Sequence, residues 1–391
     1  MRRAAGLIVL LAIMVTVAAC GGGSGDGDAQ GGPIKIGFYS PVTGPASADG
    51  TSALRGAQLA VDTINRQGGV LGRQLELVDY DDAFSPDEAA NITRRLIEQD
   101  GVVAVVSGSY SSQTRAGAPI AQEAGIPFVS AYGVHPSITQ VGEYVWRIGA
   151  LADVQGKAGA HLVVERLGAR RVGMLVIDND FGVSLADAFR QGVQDLGAEI
   201  VYEERYPLGE TDFRALISGI AEADLDALYA IGYFAEAGAL VRQLGEAGVE
   251  VQVVGQEGYD SPAFLELAGE HAEGVIITTD LDRDSERESV QDFLSGFQEA
   301  YDTPADMVAA SVYDAVQVIA EAIEAGGSTE PEAMLGGLRS IENLDAAVTG
   351  PIMRFTEGRE VVRPIGAQIV QDGAFHHFWE IDDPEVITPP W

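Results

Sequence analysis

The chain of 391 residues contains one cysteine, Cys20. No intramolecular disulfide can form, so the fold must hold by burial alone, which a chain of this length can supply. Positive charge is scarce: 24 Lys and Arg stand against 59 Asp and Glu, for a net charge of −35. Two of the cations are lysines, Lys35 and Lys157. An excess of this sign repels phosphate backbones and anionic headgroups, which excludes nucleic acid and electrostatic membrane binding as roles. Catalytic signatures are missing too. There is no G-x-S-x-G elbow, no H-E-x-x-H and no Walker-type G-x-x-x-x-G-K, and the glycines of SPVTGPASADG (40–50) do not fit G-x-G-x-x-G. The five histidines are scattered apart from His376-His377, and neighbours on a strand point to opposite faces, which makes a poor metal site. No metal or cofactor is expected, and no nucleophile–base pair can be named.

One long apolar run is present, Ala4–Ala19. Its 16 residues fall short of the roughly 20 that span a bilayer as a helix. Arg2 and Arg3 before it and small residues at its end describe an export signal over residues 1–19. The run Val17-Ala18-Ala19-Cys20 resembles the bacterial lipobox, in which the cysteine is lipidated and becomes the first residue of the mature chain. Residues 21–33 carry no large apolar side chain, so 20–33 reads as a flexible tether. Removing residues 1–19 takes away two arginines and no acid, and the net charge falls from −35 to −37. Cys20 then anchors the protein at the cell envelope, in the periplasm or on the outer face of the plasma membrane.

Beyond the tether the sequence alternates between two patterns. IKIGFY (34–39), LELVDY (75–80), VVAVVS (102–107) and IPFVSA (126–131) read as strands, followed by RVGMLVI (171–177), EIVYEER (199–205), LDALYAI (225–231), VQVVG (251–255) and GVIITT (274–279). Segments of helical period separate them: Leu54, Ala57, Val61 and Ile64 form one stripe, and Val308, Val312, Ile319 and Ile323 another. Nearly continuous apolar strands alternating with helices imply parallel sheets covered on both faces. Nine strands are many for one sheet, so two α/β domains are expected, with a break near 150–155. The helix-rich segment 281–345 is too poor in strands to stand alone and should pack back onto one of them. The acidic run DYDDAFSPD (79–87) reads as a strand-to-helix loop capped by Ser85 and Pro86 rather than a cation site.

Open α/β sheets bind ligands at the carboxyl ends of their strands. Four loops there carry polar groups. SGSYSSQT (107–114) opens a helix, whose N–H groups, with the hydroxyls of Ser111 and Ser112, could hold an anion such as a carboxylate. SAYGVHPS (130–137), IGYFAE (231–236) and GQEGYDS (255–261) are the others. Tyr132, Phe181, Tyr233 and Tyr259 supply apolar walls and Glu257 one negative charge.

These segments, with GFYSPVTGPASADGTSALRGAQLAVDTINRQGGVLGRQLELVDYDDAFSPDEAA, DNDFGVSLADAF and GPIMRFTEGRE, resemble the branched-chain amino acid binding proteins of ABC importers across residues 33–380. The resemblance implies the type I periplasmic binding protein fold: two doubly wound parallel-sheet α/β lobes joined by a three-crossover hinge. Lobe 1 would be 34–152 plus 281–356 and lobe 2 153–280 plus 357–391. It further implies a monomer that captures an amino acid, branched-chain or otherwise hydrophobic, and delivers it to ABC permease and ATPase subunits. By the same resemblance Ser111 takes the ligand carboxylate, Glu257 its ammonium, and Tyr233 packs on it. Four residues depart from the family pattern: Val134 replaces a threonine and Tyr132, in the same loop, an alanine, Phe181 replaces a tyrosine, and Asp49 stands where relatives place a pocket tyrosine. Asp49 could therefore meet a second cationic or polar group. Relatives can carry a disulfide at the positions of Phe84 and Tyr110; the loss of both half-cystines together fits two neighbouring positions. A ligand-sensing module for an amide or aromatic acid is the alternative left open.

Overall fold

Strand–helix alternation organises the chain from its first described strand. The computed structural model describes residues 31–391; the export signal, Cys20 and most of the tether lie outside the described residues. β1 (Ile34–Ser40), α1 (Ser47–Arg66), β2 (Leu75–Asp81), α2 (Pro86–Arg95), β3 (Ala104–Ser107), α3 (Ser111–Ala124), β4 (Phe128–Ser130) and β5 (Val145–Arg147) build a parallel sheet in the order β2-β1-β3-β4-β5. α4 (Ala152–His161), β6 (Arg171–Ile177), α5 (Asp180–Asp195), β7 (Glu199–Tyr206), α6 (Arg214–Glu222), β8 (Ala227–Ile231), α7 (Phe234–Glu246), β9 (Gln252–Gly255), α8 (Pro262–Ala268) and β10 (Ile276–Thr279) repeat the pattern. Their strands run β7-β6-β8-β9-β10, all parallel. Both sheets thus share one doubly wound order, with a switch point between β1 and β3 in the first and between β6 and β8 in the second.

The helical segment α9 (Glu288–Tyr301), α10 (Met307–Gly326) and α11 (Pro331–Ser340) returns to the first sheet. The expected stripes meet there, with α1 packed along α10. At Gly56 a Cβ would lie 2.3 Å from the Ala309 carbonyl oxygen, so only glycine permits so close a crossing. β11 (Glu342–Leu344), β12 (Ile352–Phe355) and β13 (Val361–Val362) form a small antiparallel sheet, and the second large sheet is extended by β14 (Ile365–Gln371), antiparallel to β10, and by β15 (Ala374–Ile381), antiparallel to β14.

Each of the nine strands expected from sequence has a counterpart. The sequence reading did not include β5 and β11–β15. The β14–β15 hairpin carries a legible signal, Asp372-Gly373, both left-handed (φ 52° and 76°), as a two-residue type I′ turn requires. The acidic loop after β2 behaves as expected: Ser85 Oγ accepts the Glu88 N–H at 3.3 Å and Pro86 opens α2.

Three segments cross between the sheets, after β5, after β10 and between β13 and β14. Glu360 bridges to Arg147 at the end of β5, and β13 pairs with β12 in the small sheet, before the chain turns into β14 of the second large sheet. Two buried ion pairs tie the crossings together. Arg147 Nε meets Glu360 at 2.8 Å, both side chains fully buried, and Arg363 pairs with Asp280. Arg147 also donates to the carbonyls of Gly133 (2.5 Å) and His135 (2.8 Å), holding the loop after β4.

Removing one partner of a buried pair leaves an uncompensated charge. Arg147→Met should cost about 3–5 kcal/mol, and the double variant Arg147→Met/Glu360→Met should recover much of it. Urea unfolding of the two variants checks this; equal losses in both would mean that the pair itself is not what Arg147 contributes.

Candidate functional site

The carboxyl edges of the two sheets face each other, and their switch points place four residues in one cleft. Asp49 stands in the first turn of α1 after β1, and Tyr110 precedes α3 after β3. Phe181 lies in the first turn of α5 after β6, and Tyr233 N-caps α7 after β8. Ser111, Tyr132, Glu257, Gly258, Met307 and Val308 complete the lining. Close backbone approaches set these turns. A Cβ at Gly50 would fall 2.1 Å from the Pro41 carbonyl oxygen, and one at Gly258 would fall 2.3 Å from that of Gly232.

The cavity is about 20 Å³, room for about one water, because aromatic rings fill the cleft. Tyr110 stacks on Tyr233 with centroids 4.3 Å apart and planes 6° from parallel, and Phe181 stacks on the other side at 5.1 Å. Phe84 and Tyr132 meet Tyr110 edge-on at 5.3 and 6.0 Å. The column joins side chains of both sheets, each such pair being worth about 0.5–1.5 kcal/mol beyond its burial. Larger hollows lie on the outer surface, one of about 780 Å³ beside Arg214 and Arg242, but it lacks an aromatic wall and the residues around it are mainly exposed.

One end of the cavity suits an anion. α3 has no side-chain cap, so the N–H groups of its first turn are available, with the positive end of the helix dipole behind them. Ser111 Oγ accepts the N–H groups of Val134 (3.2 Å) and His135 (3.3 Å), which leaves its own hydrogen to donate. The other end suits a cation. Glu257 is buried and accepts from Gln155 Nε2 at 2.5 Å. Burial, then the neighbouring Asp280, pushes its carboxyl well above the usual range, against the Gln155 bond and the charges of Arg363 and Arg147. A carboxyl in that state gains from a cation placed against it.

The pattern of the periplasmic binding protein family matches residues 33–374. The chain belongs to this family. A leucine-, isoleucine-, valine-, threonine- and alanine-binding protein of Pseudomonas aeruginosa is 32% identical over 309 residues, covering 78% of this chain and 82% of the relative. Among solved structures, the branched-chain amino acid transporter substrate binding protein of Streptococcus pneumoniae in complex with isoleucine is 30% identical, with a TM-score of 0.82 over 89% of this chain and 99% of that one. A solute binding protein of an ABC transporter from Rhodopseudomonas palustris in complex with 3,4-dihydroxybenzoic acid is 22% identical at a TM-score of 0.83, over 92% of this chain and 99% of that one; that likeness is one of fold. These relatives are named for what they bind, in keeping with the expectation of a binding protein rather than an enzyme.

Within this periplasmic binding protein the expected residues divide. Asp49, Ser111, Tyr132, Phe181, Tyr233 and Glu257 line the cavity. Ser112 does not: its hydroxyl donates to Asp180 at 3.1 Å, beside the Arg115–Asp180 ion pair. The side chain of Val134 is buried behind the wall, and the residue contributes its backbone N–H to Ser111. Tyr259 packs on Phe264 rather than into the cleft. Tyr110, Gly258, Met307, Val308 and Gln155 were missed. Tyr110 stands at one of the two half-cystine positions of relatives; its contact with Phe84 shows that these positions are neighbours, and its ring also turns into the cleft.

Asp49 is a strongly perturbed carboxyl. Burial first, then Asp306 and Asp260, push it up to about 8 against the Tyr110 hydrogen bond. A carboxyl raised from about 4 to 8 on folding binds a proton more in the folded state between those limits, so its contribution is present at low pH and is lost as pH rises toward 8. Asp49→Asn should therefore flatten the pH dependence of stability between pH 5 and 8 by up to about 1.4 kcal/mol per unit. Chemical denaturation across that range checks it, and an unchanged slope would return Asp49 to an ordinary carboxylate.

Proposed function

We propose that this protein is the extracytoplasmic solute-binding component of an ABC importer, and that it captures an α-amino acid between its lobes for delivery to a permease and its ATPase subunits. One observation carries the reading. An uncapped helix N-terminus with the Ser111 hydroxyl and a buried acid, Glu257, line one cleft that aromatic rings close to the size of a water; opened by lobe movement, it would offer a donor end and an acid end to the carboxylate and ammonium of a zwitterion. Charge-assisted hydrogen bonds at both ends would orient the ligand, while Tyr110, Tyr132, Phe181 and Tyr233 cover its body. Closing the lobes excludes water and strengthens those contacts. The relatives named for leucine, isoleucine and valine support the ligand class. On this reading residues 34–152 with 281–362 form one lobe and 153–280 with 363–391 the other, hinged at the crossings that Arg147–Glu360 and Arg363–Asp280 tie.

Glu257→Gln keeps the shape and removes the charge. Loss of a hydrogen bond to a charged group costs about 1.5–3 kcal/mol, or roughly 10- to 150-fold in Kd at 1.4 kcal/mol per decade. Calorimetric titration with the amino acid that most raises the melting temperature reads this directly. An unchanged Kd would remove Glu257 from the site.

We further propose that Cys20 is lipidated and tethers the body to the membrane through residues 21–33. No helix among the described residues is long and apolar enough to cross a membrane, and the net charge does not favour anionic lipid. Cys20→Ser should move the protein from the membrane fraction to the soluble one and abolish labelling by a fatty-acid precursor. Retention in the membrane fraction would end the lipid-anchor assignment.

A further inference from the structure

Asp49 is not required to hold either charged end of an amino acid, yet it is buried in the wall of the same cavity. One of its carboxyl oxygens accepts the Tyr110 hydroxyl at 2.5 Å. The other, Oδ1, is buried and has no hydrogen-bond partner among the described residues. No basic side chain lines the cavity. The nearby Asp306 is differently placed, since its Oδ1 accepts Ser52 Oγ at 2.6 Å and the Ala309 N–H at 2.8 Å. A buried acceptor without a partner is rare and costly.

The surroundings also hold Asp49 in place. The Tyr110 ring is clamped between the face of Tyr233 and the edges of Phe84 and Tyr132, so its hydroxyl cannot leave the carboxyl without breaking the stack. Gly50 presses that turn of α1 against Pro41. In the closed cleft the carboxyl is thus held with one oxygen spoken for and one without a partner, in the wall of a space bounded by aromatic rings, Met307 and Val308.

We propose that Asp49 is a specificity residue of the amino-acid site, whose free oxygen selects ligands with a hydrogen-bond donor at the end of the side chain over aliphatic ones of the same shape. The inference rests on the amino-acid reading above. An aliphatic tip would seal Oδ1 in apolar surroundings, whereas a hydroxyl, amide or ammonium would satisfy it. Sites built to bond a donor reject the analogue lacking it by as much as about 10⁴-fold, far beyond what a pocket achieves by shape against one methylene. The raised titration of Asp49 marks a carboxyl short of donors: without a ligand it keeps its proton near neutral pH, and an ammonium or other donor brought to Oδ1 draws it back toward the carboxylate.

Three matched pairs test the choice by calorimetric titration of the full chain: valine against threonine, leucine against asparagine, and norleucine against lysine. The donor-bearing member should bind at least tenfold tighter in at least one pair, and the pair that does so tells hydroxyl, amide and ammonium apart. In Asp49→Leu that preference should fall below twofold, with the aliphatic member bound as well as before or better. Tighter binding of the aliphatic member in all three pairs by the wild-type protein overturns the inference and leaves the amino-acid reading intact. A preference that survives unchanged in Asp49→Leu also overturns it. Binding of no member of any pair overturns both. Should Asp49→Leu fail to fold, the wild-type series decides by itself.

Discussion

Arg147–Glu360 and Arg363–Asp280 are ion pairs with no solvent to share their charge, and between them they touch all three segments that pass from one sheet to the other. A parallel sheet presents its strand ends on one edge, so what two such sheets can do together depends on whether those edges face each other. The pairs sit where that relation is decided. Arg147 also holds the carbonyls of Gly133 and His135, and the loop so held offers its N–H groups to Ser111. Hinge and anion end are therefore one continuous hydrogen-bonded structure. Glu257 belongs to it as well, through the fields of Asp280 and Arg363 and through Gln155, which also reaches the Ala150 carbonyl on the first crossing.

Within that frame the site follows from topology. The two sheets share one strand order, so each opens a crevice at its own switch point, and the residues that fill the crevices come from equivalent places: Asp49 and Phe181 after the first strand of each sheet, Tyr110 and Tyr233 after the third in chain order. Helix N-termini converge there, which suits an anion, and buried carboxyls converge there too, which suits a cation. The rings of Phe181, Tyr233 and Tyr110 stack between them. A small cleft with charge preferences at both ends and flat apolar walls recognises a small zwitterion far better than a polymer or a lipid surface, in keeping with the acidic composition of the whole chain.

Much of this was legible in the residues. Buried strands betrayed themselves as short β-branched runs, and the stripes of α1 and α10 by their helical period. Ser111, Tyr132, Phe181, Tyr233 and Glu257 could be singled out because a polar or aromatic residue just past an apolar run is where α/β sheets bind ligands. The short β5 was not legible, since Val145–Arg147 is cut by an arginine and stands in no apolar run, whereas the equally short β4 lies within IPFVSA. The β14–β15 hairpin could have been found from Asp372-Gly373. Ser112 could not be separated from Ser111, because two adjacent serines at a helix start are alike in sequence and differ by 100° around the axis in space; one meets the Gly133–His135 loop and the other Asp180.

The sequence by itself determined the alternation of strands and helices, the division into two sheets, the acidic charge and the loops on which a ligand site could be built, because these follow from local hydrophobic pattern and from residue chemistry. Tertiary structure alone decided which residues of those loops share a cavity. Whether Val134 offers a side chain or an N–H, whether Tyr110 turns toward Phe84 or into the cleft, and whether one oxygen of Asp49 is left without a donor depend on contacts between residues far apart in the chain. Pattern along a sequence encodes what each segment prefers to bury; it does not encode what will be waiting on the other side.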